Sequence, residues 1–70
     1  MDPVSWLLIE PGWRVLDGNG DDVGVVDSVR GDQQADIFDG LMVRGGVFSE
    51  PTYVSADDIE SIVEGQITLA

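Results

Sequence analysis

The sequence predicts an all-β protein: a small six-stranded barrel with one short helical turn near residues 56–59. Three observations lead there. No stretch sustains apolar residues at helical spacing for long enough to make a proper helix. What recurs instead is a series of short β-rich runs divided by glycines. And in the run "VGVVDSVRG" the valines at 23, 26 and 29 are spaced by three, so they share a face only if the strand bends.

The elements follow in order. "WRVLD", residues 13–17, reads as the first strand, and "GNG" after it as a turn whose glycines take positive φ. The second strand runs over 23–31. A bulge or tight bend near Gly24 reconciles its valine spacing, and bent strands are how a small sheet curls. "DQQAD" makes a polar loop. In "IFDGLMVRG", residues 37–45, alternation puts Ile37, Asp39, Leu41 and Val43 on one face and Phe38, Gly40, Met42 and Arg44 on the other, with Leu41 and Val43 in the core. The glycines at 45 and 46 turn the chain, and "VFSEP" leads into "TYVS", where Pro51 fits only at a strand start or on an edge strand. Ser55 ahead of Ala56, Asp57 and Asp58 reads as an N-cap opening one helical turn, with acids where its free N–H groups favour them, so Ile59 points inward. "SIVEGQITLA" reads as a closing hairpin with Glu64 and Gly65 at its tip. Many short strands in so few residues favour a closed barrel, which has no edges to protect.

Composition narrows the function. Seventy residues suffice for one domain. With no cysteine and no histidine, disulfides, thiolate zinc sites, histidine-based triads and zinc hydrolysis are excluded. Fourteen acids against Arg14, Arg30 and Arg44, with no lysine, give a net charge of −11. Such a surface repels nucleic-acid phosphates and anionic headgroups. It also fits a protein adapted to high salt, because at molar ionic strength the screening length falls to about 3 Å and self-repulsion fades. "MDPVSWLLIEPGW" has too short an apolar run and the wrong charge for a signal peptide, and no stretch is long enough to span a bilayer, so the expected location is cytoplasmic.

"GWRVLDGNGDDVGVVDSV" and "YVSADDIESIVEGQITL" together resemble the two ends of a PRC-barrel domain. The residues that carry the likeness are Gly12, Val15, Asp17, Gly20, Val23, Gly24, Val26, Tyr53, Val54, Asp58, Ile59, Ile62 and Leu69. The resemblance covers residues 12–69 and rests on glycines and core apolar positions rather than reactive groups. It implies an SH3-like barrel at 12–70, preceded by an N-terminal apolar extension at 1–11. It also implies a non-catalytic module that binds protein, closest to the small stand-alone members of that family.

Two stretches invite a site. Asp17, Asn19 and Asp21 occupy the first three ligand positions of an EF-hand loop, which raises a divalent-cation protein as the alternative function. The pattern then fails: Asp22 stands where glycine is required and Ser28 where the bidentate glutamate belongs, so an Asp-Gly turn with a solvated tip is the preferred reading. Asp57, Asp58, Glu60 and Glu64 do not make a paired-carboxylate catalytic site, because so small a barrel has no cleft for a sugar. No nucleophile, base or metal set converges, so neither an enzyme nor a cofactor is expected. The second stretch is "VSWLLIEP". Trp6, Leu7 and Leu8 either pack over the barrel's open end, which is favoured, or form a seam with a protein partner, a second copy included. Phe38, Met42 and Phe48 pose the same choice, and a contiguous patch among them would mark the partner site.

Overall fold

A computed structural model describes residues 4–70; the first three residues of the N-terminal extension lie outside it. It contains six strands: β1 (Arg14–Leu16), β2 (Asp22–Asp32), β3 (Ile37–Gly45), β4 (Phe48–Ser55), β5 (Ile59–Val63) and β6 (Gln66–Leu69). They form one curled sheet in the order β4-β3-β2-β1-β6-β5, an all-β half barrel. Neighbours are antiparallel except β1 and β6, which run parallel with Val15 beside Ile67. The sheet therefore ends on β4 at one side and β5 at the other. These two strands are joined through a 3-10 turn at Ala56–Asp58. Ser55 caps that turn as the sequence predicts, its Oγ accepting from Asp57 N at 3.2 Å. Asp57 and Asp58 occupy its first turn, where free N–H groups favour carboxylates.

The core is aliphatic and lies on the concave face. Val15, Val26, Leu41, Val43 and Ile67 are fully shielded from solvent, one or two from each central strand. Each such side chain contributes on the order of 1.5–3 kcal/mol by leaving water. Ile9, from the N-terminal segment, joins the same cluster, and no polar or charged side chain is buried with it among the described residues.

The curl comes from bulges, and the valine spacing announces the first of them. Val15 pairs with Gly24 but Leu16 with Asp22, leaving Val23 as the extra residue. Gly24 is required there: a Cβ would stand 2.7 Å from the Arg44 carbonyl oxygen. A second bulge follows at Asp27, since Val26 pairs with Val43 and Ser28 with Met42. Together the two bulges bring Val23, Val26 and Val29 against one core, although the residues between them do not alternate regularly.

A third bulge corrects the reading of β3. Arg30 pairs with Gly40 and Gly31 with Phe38, so Asp39 is the extra residue. A one-residue slip reverses the faces of everything beyond it. Phe38 thus turns toward the core and Ile37 turns out to 59% exposure, the opposite of strict alternation, while Leu41 and Val43 lie inward as expected.

Pro51 stands on β4, an edge strand, as the sequence predicts for a residue with no N–H to give a ladder. Thr52 Oγ1 donates to the Glu50 carbonyl at 3.0 Å on the same strand.

Candidate functional site

The N-terminal segment is the part of the chain that the strand pattern does not account for, and it is strapped across the sheet. Val4 N donates to the Ile62 carbonyl at 3.0 Å, which ties the segment to the outer strand β5. Ser5 then caps a 3-10 turn at Trp6–Leu8, its Oγ accepting from Leu7 N at 3.2 Å. The turn separates the apolar side chains. Trp6 goes inward and Ile9 enters the core, while Leu7 and Leu8 face water at 44% and 58% exposure.

Trp6 is held on three sides. Its ring stacks on Phe38 with centroids 5.2 Å apart and an interplanar angle of 11°, an arrangement that adds to what burial alone supplies. It lies over Gly31, where a Cβ would stand 2.5 Å from the Ile37 carbonyl oxygen and 3.0 Å from Trp6 Cη2, so that position has to lack a side chain. Its Nε1 donates to Asp36 Oδ1 at 2.9 Å. Asp36 ends the β2–β3 turn with a φ of 53°. This is the left-handed region, which aspartate tolerates better than most residues. Asp32 Oδ1 closes the same turn by accepting from Gln34 N and Ala35 N.

This strap leaves a shallow apolar groove on each side of Val4. One, of about 300 Å³, is lined by Val4, Phe38, Ala56, Ile59 and Ile62, with the exposed Glu60 and Ser61 beside them. The other, of about 290 Å³, is lined by Val4, Leu8 and Trp13, with the exposed Glu10 and Glu64. No arginine lines either groove.

The residues singled out from the sequence are thus divided. Trp6 and Phe38 meet as a half-buried pair, while Leu7 and Leu8, which follow Trp6 in the chain, are exposed. Met42 pairs in register with Ser28 and Tyr53 farther along the sheet. Phe48 pairs with Gly45 at the far end of β3 and packs on the core. Phe38 and Gly45 are separated by seven steps of strand, on the order of 20 Å, so Phe38 and Phe48 do not share a patch. Val4, Trp13, Ile59 and Ile62 join the grooves without any local signal in the sequence, because only the strap brings residues so far apart in the chain together.

The acidic loop between β1 and β2 is organised around one carboxylate. Asp17 Oδ1 accepts from Asn19 N at 2.8 Å and from Asp21 N at 3.0 Å. The Asp17 backbone bonds to Asp21 O and Gly20 N, which completes an aspartate-nucleated turn. Gly20 supplies the positive φ that the turn needs. Of the three cation-ligand candidates, Asp17 is therefore committed to backbone N–H groups, and Asn19 and Asp21 are the residues whose amides it receives. Among the described residues, no group of three or more acidic side chains is arranged to hold a metal ion.

The arginines are drawn off elsewhere. Arg14 Nε lies 3.1 Å from Asp22 Oδ2, and Arg44 Nε lies 3.3 Å from Asp27 Oδ1. Both pairs are solvent-exposed and contribute little to stability. Among the described residues, no ion pair forms at Arg30. On the outer face, the Tyr53 ring covers Gly40 and its hydroxyl donates to the Asp39 carbonyl at 2.8 Å. Partial desolvation, and after it the Asp39 carboxylate, holds this phenol above its ordinary pKa.

In comparisons with known proteins, the chain matches no family model and no curated protein sequence.

Proposed function

We propose that this chain is a non-catalytic protein-interaction module of the PRC-barrel kind, acting in the cytoplasm at high ionic strength. The observation that carries the reading is the strap: it turns Leu7 and Leu8 to solvent, with Leu8 lining one of the two apolar grooves, although Trp6 and Ile9 of the same segment are packed inward. Exposed apolar side chains next to concave apolar surface are what a protein partner desolvates when it binds. The anionic surface complements this by steering cationic partners in and keeping anionic competitors out. Among the described residues, no helix is long and apolar enough to cross a membrane.

Affinity capture from native lysate at the host's own ionic strength tests the reading, paired with isothermal titration of calcium. The expected outcome is a protein recovered in stoichiometric amount and a calcium titration with only weak, salt-sensitive heat. Empty captures together with saturable calcium binding would transfer the function to the acidic loop. Adaptation to salt has its own check. The net charge to be screened is −11. Screening it should raise the melting temperature by about 5 °C between dilute buffer and molar KCl, equivalent to about 1 kcal/mol for a domain of this size. A melting point indifferent to KCl removes that part of the proposal.

A further inference from the structure

We infer that the two grooves flanking Val4 form one docking surface, and that its occupant is a cationic amphipathic segment of a partner protein. The inference rests on the interaction-module reading and adds the partner's chemistry. Val4 lines both grooves, so they adjoin across a single residue of the strap. The floor is hydrocarbon, chiefly Ile59, Ile62 and Trp13. Among the described residues, the ionisable groups that line it are Glu10, Glu60 and Glu64, all exposed and all of one sign. A segment with apolar side chains on one face and lysines or arginines flanking them satisfies both features. Its apolar face fills the two hollows, and its cations meet carboxylates that have no arginine among the lining residues to neutralise them.

The same charges argue against the other occupants. A second copy of the chain would bring another net charge of −11, and two of its three arginines are already held by Asp22 and Asp27. A self-complementary interface here would set glutamate rim against glutamate rim. A membrane surface or a nucleic acid presents phosphates to the same rim and is repelled.

The test is calorimetric titration of the full chain with a synthetic helical peptide carrying leucines on one face and lysines on the other, at about 50 mM KCl, where exposed charges still interact over about 10 Å or more. Two control peptides have serine for leucine or glutamate for lysine. One-to-one binding of the leucine–lysine peptide, about tenfold tighter than either control, is expected. Leu8→Ser should weaken it about tenfold, since a full leucine is lost from the contact. The double variant Glu10→Gln/Glu64→Gln should weaken it at low salt and flatten its salt dependence. Val47→Ser, at an exposed hairpin tip outside both grooves, should leave it unchanged.

Equal binding of the lysine–serine control would reduce the effect to diffuse charge and overturn the inference. So would a Val47→Ser loss as large as that of Leu8→Ser, or no binding at all. In the last case, capture from native lysate separates the two levels. A partner retained equally by the wild type and Leu8→Ser means a module that docks elsewhere, whereas empty captures remove the module reading as well.

Discussion

The loop at 17–22 and the strap at 4–9 have opposite fates. The loop carries three aspartates and an asparagine and looks like chemistry, yet its central carboxylate is occupied in closing its own backbone. The strap carries no chemistry, yet it ties onto β5, packs Trp6 and Ile9 against the sheet and leaves two leucines in water. The difference shows that reactive residue types do not locate function by themselves. What counts is the surface left over once the chain has met its own hydrogen-bonding and burial requirements.

The largest effect should come from the strap. Trp6→Ala removes the stack on Phe38 and the bond to Asp36. It should cost about 2–3 kcal/mol in denaturant unfolding, near the lower end for a large aromatic because the ring is only half-buried. A cost below about 0.5 kcal/mol, the range of an ordinary surface substitution, would mean the strap is not part of the folded unit.

A smaller effect separates the two readings of the loop. Asp17→Ala leaves two turn amides without their acceptor and should cost about 1 kcal/mol, comparable to losing a helix cap. Asp17→Asn keeps an oxygen in place and should recover most of that stability. If instead Asp17→Asn were as damaging as Asp17→Ala, the negative charge would matter more than the turn, and the contrast with the strap would weaken.

The smallest effect is the one that isolates function from folding. Leu8→Ser exchanges one exposed side chain for another and should change stability by less than about 0.5 kcal/mol. A larger loss would show that Leu8 is holding the fold, and the grooves would then be packing defects rather than a surface kept for a partner.

Much of this architecture is legible in the residues themselves. Glycines and β-branched runs mark the strands, Ser55 and its following acids mark the second 3-10 turn, and the triple spacing of Val23, Val26 and Val29 betrays a bend near Gly24. The bulges at Asp27 and Asp39 are hidden because an aspartate inside a strand resembles an ordinary outward-facing residue. The consequence at Asp39 is concrete: Ile37 and Phe38 exchange faces, and Phe38 becomes the platform for Trp6. Ser5 ahead of "WLL" is a readable cap of the same kind as Ser55. The grooves have no such local trace, since they depend on Val4 meeting Ile62 and on Trp6 finding a position, Gly31, that has no side chain to obstruct it.

The most direct test of this contrast is a map of backbone amide chemical-shift changes on titrating the leucine–lysine peptide into isotopically labelled protein. The largest changes are expected at Val4, Leu8, Glu10, Trp13, Ile62 and Glu64, with residues 17–22 undisturbed. Changes concentrated at 17–22, or spread evenly over every acidic position, would contradict the account.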